Sequence, residues 1–146
     1  MIPVELISSI YEQFAHAEPQ TGGKRTEALR NGVHYTRLSV VSLVLDEVMD
    51  GLSGRESVLD LTCGSGVFLV EALRRLVHLR SQGQPPTREL IRSTLYGQVY
   101  GVDISEAAIR VAAFSLYLAA LELLFVEAGC LGHDFGQGLI PRPVVV

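Results

Sequence analysis

Only two cysteines, Cys63 and Cys130, occur in the 146 residues. They offer neither a metal-binding spacing nor a disulfide framework. A reduced, cytoplasmic setting is therefore expected, with no metal. An excess of positive charge is also missing. The net charge is −4, so nothing in the overall charge suggests a nucleic-acid binder driven by attraction to phosphate. No secretory leader is expected, because Glu5 interrupts the N-terminus before any long apolar core. The longest apolar pattern carries Arg110 and Glu122, which leave an uncharged run short of the ~20 residues a bilayer requires, so no membrane association is expected.

What is present is apolar and modestly charged, at 48% and 19% of the residues, which fits one folded domain with a real core. Ile2 to Phe14 has Leu6, Ile7, Ile10 and Phe14 on one helical stripe, and Glu18 to Arg30 reads as a polar loop. A second helix follows Asn31–Thr36, with Val40, Val41, Val44, Leu45, Val48 and Met49 in register and Thr36 or Ser39 placed to cap it.

The stretch that organises the chain is Ser57–Leu73. Val58, Leu59 and Leu61 read as a short buried strand, Thr62–Gly66 as a turn of small residues, and Val67 onward as a helix. Such a turn directs backbone N–H groups at a helix N-terminus toward a ligand, and Gly64 and Gly66 permit close approach to the main chain. It is no P-loop, since no Gly-Lys-Ser/Thr follows. It departs from the dinucleotide fingerprint as well, because Leu69 stands where a third small residue allows close packing of helix on strand. A turn that merely joins strand to helix is the competing reading.

Downstream, Arg74, Arg75 and Arg80 are expected on the solvated face of this helix, which runs to about Leu79. Pro85 and Pro86 break the chain before a short helix over Arg88–Leu95. Gln98–Ile104 reads as a second strand. Asp103 at its end is placed to accept hydrogen bonds from ribose hydroxyls; Asp103 and Ser105 also suit the start of the next helix. That helix, Glu106 to about Glu127, is apolar nearly all round and is expected to be buried, in part against something outside this chain or a second copy. After the glycine-rich Ala128–Gly138, Pro141–Val146 begins what reads as another buried strand. Its exposed edge invites a homo-oligomer.

Asp60-x-x-x-Gly64-x-Gly66 resembles the first motif of S-adenosylmethionine-dependent methyltransferases. The wording Leu59-Asp60-Leu61-Thr62-Cys63-Gly64-Ser65-Gly66-Val67-Phe68-Leu69 is closer to the adenine-specific DNA methyltransferases of restriction–modification systems, with Leu61 in place of their proline. Gly32-Val33-His34-Tyr35-Thr36 resembles the tenth motif of that family, with Arg37 in place of the final proline, and His133-Asp134-Phe135 resembles the third.

The resemblance implies an α/β chain: a partial Rossmann-like class I methyltransferase fold with a parallel sheet and N-terminal helices. Residues 1–50 would be a helical segment with the motif-ten turn, and 51–146 a cofactor-binding half-domain truncated at its C-terminus. It assigns S-adenosyl-L-methionine to Tyr35, Thr36, Asp60, Thr62, Cys63, Gly64, Ser65, Gly66, Phe68, Asp103, Ile104, Asp134 and Phe135. No catalytic residue is assigned. The family's Asn/Asp-Pro-Pro-aromatic motif follows the fourth strand, whereas Gln84-Pro85-Pro86-Thr87 precedes the second and ends in a residue that cannot stack on a base. The expectation is the donor-binding portion of a DNA adenine methyltransferase, inactive by itself, with DNA as partner of the longer protein. The alternatives are part of an RNA or small-molecule methyltransferase, or a non-catalytic assembly module.

Overall fold

In the computed structural model the described residues are 36–128, together with Ile7, Ile10 and Tyr11, which are helical. Tyr35, Asp134, Phe135 and the strand expected at the C-terminus lie outside them. The described elements run in the order α1 (Leu38–Val48), β1 (Val58–Asp60), α2 (Val67–Ser81), α3 (Arg88–Gln98), β2 (Val99–Gly101) and α4 (Glu106–Ala128).

The two strands pair in parallel, with Val58 opposite Val99, Leu59 opposite Tyr100 and Asp60 opposite Gly101. Parallel neighbours need a long crossover, and here α2 and α3 supply it. The pairing continues past the strands: Val102 N–H donates to Asp60 O at 2.8 Å and Cys63 N–H to Val102 O at 2.9 Å. The chain is therefore α/β, although helix predominates among the described residues.

α2 forms the centre of the packing. Leu69, Val70, Leu73, Leu76 and Val77 are buried along it. They meet Val41 and Leu45 of α1, Ile91 and Leu95 of α3, and the small stripe Ala112, Ala119 and Ala120 of α4 in one core. Small residues on α4 let its backbone come close to α2. By length and apolar composition α4 could cross a membrane; here it packs on its neighbours, and Glu122 reaches Arg74 of α2 at 2.8 Å.

Several expectations need correction. Arg74, Arg75 and Arg80 are not a solvated face. Arg74 pairs with Glu122, Arg75 with Glu71 and Asp46, and Arg80 donates to Thr94 Oγ1 and Gln98 Oε1, both at 2.7 Å. The guanidinium groups pin α2 to three other helices. β1 is not buried on both faces: α2 covers the face that carries Val58 and Val99, while Leu59 and Leu61 remain 58% and 67% exposed. The α1 N-cap is Arg37, with no side-chain cap bond, rather than Thr36 or Ser39. Along α1 and its C-cap only the row Val41, Leu45 and Met49 is buried, while Val40, Val44 and Val48 are exposed. α4 is less buried than its composition suggests, since Phe114 and Phe125 are exposed.

Candidate functional site

The site is the loop between β1 and α2, facing the end of β2. Asp60 closes β1, and its Oδ1 accepts from Thr62 N–H at 3.0 Å, which bends the chain out of the strand. The turn then tightens as Gly66 N–H donates to Cys63 O at 2.8 Å. Gly66 is the α2 N-cap at φ 87°, and no side chain caps the helix. The first N–H groups of a helix lack partners within it, so this end carries positive potential.

The two glycines of the turn do different work. Gly64, at φ +52°, has nothing within 4 Å of where a Cβ would stand, so its outer side is open to an approaching molecule. Gly66 is closed. A Cβ there would lie 2.8 Å from the Ala112 Cβ of α4. Gly66 thus serves the packing of turn on helix, and only Gly64 has the open approach that the sequence suggested for both.

Asp103 arrives at this turn from across the sheet. Its Oδ2 accepts from Gly64 N–H at 2.8 Å, and its Oδ1 accepts from Ser105 N–H at 2.8 Å. Ser105 Oγ in turn accepts from Ala108 N–H, capping α4. Each carboxylate oxygen can accept more than one hydrogen bond, so the acid has capacity left for donors on a ligand. Ile104 beside it is 85% exposed.

The remaining residues suggested by the sequence are divided. Thr62 is exposed on the loop, and Phe68 is half-buried in the first turn of α2. Thr36 lies half-buried just before α1. Ser65 is buried. The Cys63 thiol points into the core, 3.0 Å from where a Cβ on Gly101 would stand. Burial, then the negative charges of Asp60 and Asp103, push its pKa up to about 11. It is a neutral packing group at physiological pH. Gln84–Thr87 lies beyond the C-terminus of α2, and Thr87 Oγ1 accepts from Leu90 N–H to cap α3. Fifteen residues of α2, roughly 22 Å of helix, separate that segment from the glycine turn.

Gly101 is the residue that sequence reasoning missed. A Cβ on it would lie 2.5 Å from Leu69 Cδ1. The small residue that brings helix close to strand is therefore on the strand, which is why a leucine is tolerated at the third fingerprint position. The signal was present in sequence as a glycine within a β-favouring run.

The N-6 DNA methylase family matches residues 4–128. The chain belongs to that family. The adenine-specific methyltransferase PglX of Streptomyces coelicolor is 42% identical over 118 residues, which are 79% of this chain and 9% of that protein. A putative type II restriction enzyme and methyltransferase of Methanocaldococcus jannaschii is 35% identical over 77 residues, 49% of this chain and 6% of that protein. The chain thus spans less than a tenth of the length of either relative. No solved structure matches it.

Proposed function

We propose that this chain is the donor-binding part of an adenine-N6 DNA methyltransferase, with a Rossmann-like site for S-adenosyl-L-methionine. The observation that carries the reading is the meeting of Gly64 and Asp103, residues 39 apart in sequence, at one bond of 2.8 Å beside open space. Carboxylate, uncapped helix N-terminus and exposed apolar residue suit a ligand that has hydroxyl donors, polar acceptors and a flat ring. When bound, the cofactor supplies an electrophilic methyl carbon activated by sulfonium.

The residues of this chain bind and orient. Asp103 accepts from the ribose hydroxyls while Ser105 N–H and Gly64 N–H hold its carboxylate in place. Gly64 leaves room for the cofactor against the main chain. Ile104 offers an apolar surface for the adenine ring. Alignment of donor with acceptor is then the main catalytic contribution, since the methyl group is already activated. DNA and the residues that grip the target base belong to the longer protein, which would work in the cytoplasm within a restriction–modification system.

Calorimetric titration with S-adenosylmethionine tests the reading. The parent chain binds it. Asp103→Ala and Gly64→Val remain folded and lose the heat. No heat from the parent at millimolar cofactor, or an unchanged isotherm for Asp103→Ala, overturns the assignment.

A further inference from the structure

The end of the sheet opposite the site is held by one side chain. Gln98 is the last residue of α3 and immediately precedes β2. Its Nε2 donates to Gly54 O at 2.9 Å and to Glu56 O at 2.7 Å, on the segment that leads into β1. Its Oε1 accepts from Arg80 of α2 at 2.7 Å. Gln98 is 8% exposed, so these bonds form where the alternative is a buried unpaired amide, a substantial penalty. The amide therefore dictates how the approach to β1 lies against the start of β2.

That matters because the strands are short and the pattern of apolar residues on their two faces does little to fix their alignment. Each has three residues. Apolar side chains occur on both faces of the pair, with Val58 and Val99 inward and Leu59 and Tyr100 outward. A slip by one residue would exchange one apolar set for the other, so loss of burial alone penalises it little; the contact of Leu69 with Gly101 opposes it from the α2 side, and it would turn Asp103 to the opposite face. Gln98 stands one residue before Val99, and the carbonyls it holds belong to Glu56 and Gly54, two and four residues before Val58; Val58 and Val99 are the first aligned pair.

We propose that Gln98 is a positioning residue for the cofactor site: by clamping Gly54 and Glu56 it sets the β1–β2 register that delivers Asp103 to Gly64. The proposal rests on Gly64 and Asp103 being the cofactor site. Its own contact with the site is indirect, through the strands.

The Gly64 amide resonance in the 15N-labelled, cofactor-free 146-residue chain reads this without reference to binding. In the parent, Asp103→Ala shifts that resonance upfield, because a charge-assisted hydrogen bond is lost. Gln98→Glu keeps the size of the side chain and its Arg80 contact but sets an oxygen against two carbonyls. In that background Asp103→Ala no longer moves Gly64, while the amides of Leu73 and Leu76 stay where they are in the parent. Arg80→Met, which removes the other branch of the network, leaves the Gly64 response intact. S-adenosylmethionine affinity falls about tenfold in Gln98→Leu, the scale of one lost hydrogen bond. An equal Gly64 response in parent and Gln98→Glu overturns the proposal. So does loss of the response in Arg80→Met, or collapse of the whole spectrum in both Gln98 variants, which would make Gln98 a residue of general folding. Failure of the parent to bind cofactor removes the donor-site reading alone and leaves the Gly64 readout standing.

Discussion

Leu69 of α2 occupies the space that a side chain on Gly101 of β2 would need, with Leu69 Cδ1 2.5 Å from the site of the missing Cβ. The pair sets how closely the helix after the glycine turn lies on the sheet. Gly101→Ala is expected to cost about 1–3 kcal/mol by overpacking, and Leu69→Ala about 2–5 kcal/mol by opening a cavity. The double variant should cost less than their sum, because each change makes room for the other. Urea denaturation of the three variants measures this.

The contrast between Gly64 and Gly66 makes a ranking. Both have positive φ, and an L-residue there costs about 1–2 kcal/mol. Gly64→Ala pays that strain alone, since its Cβ meets nothing. Gly66→Ala adds the collision with Ala112, a further ~1–3 kcal/mol. Gly66→Ala should therefore be the less stable in denaturant, while Gly64→Ala remains folded and loses cofactor affinity.

Cys63 is expected to resist alkylation. With its pKa near 11, almost no thiolate exists at neutral pH, and the thiol is buried. In a Cys130→Ser background, iodoacetamide should modify Cys63 only after urea unfolds the chain. The sign of the pH effect follows from the same shift. The folded thiol holds its proton more tightly than a solvated one, whose ordinary pKa is 9.0, so its contribution to stability is complete below pH 9 and is lost as pH rises toward 11. A denaturation midpoint that falls over that interval, and falls less in Cys63→Ala, is the expected result.

Arg75 ties α1 to the rest of the fold. Beyond Glu71 on its own helix, it donates to Asp46 Oδ1 at 2.7 Å and to Ser42 O at 3.3 Å. α1 buries only a narrow row, so these bonds form a large share of its attachment. Arg75→Met should cost about 1 kcal/mol, the scale of a partly exposed ion pair. The loss should be local: amide exchange quickens over residues 38–48, while the core of α2 keeps its protection. The effect should shrink in high salt, which already screens the pair.

The positions of the helices among the described residues, the glycine turn between the first strand and its helix, and the place of Asp103 just past the second strand were legible in the sequence. They rest on short-range information: apolar periodicity, breaker residues and an acid after an apolar run. Three arginines were misplaced for the complementary reason. On a helix, the pattern shows which residues could face solvent but not whether a distant partner meets them. Arg74 finds Glu122, 48 residues on, and Arg80 finds Thr94 and Gln98 on the next helix. Nor did the pattern show that Leu59 and Leu61 lie on an uncovered face of the sheet, since an apolar run looks alike whether one face or both are covered.

The sequence by itself determined that a βα turn with two glycines exists and that an acid follows just past the next strand. Backbone geometry at Gly64 and the helical period of α2 require nothing from afar. Only the tertiary structure decided that Gly66 and Gly101 are packing glycines, that Cys63 is turned inward, and that Asp103 reaches Gly64. Those facts depend on which elements come into contact, and contact is set by the packing of α2 against α4 and by the β1–β2 register, neither of which is written in any local stretch of residues.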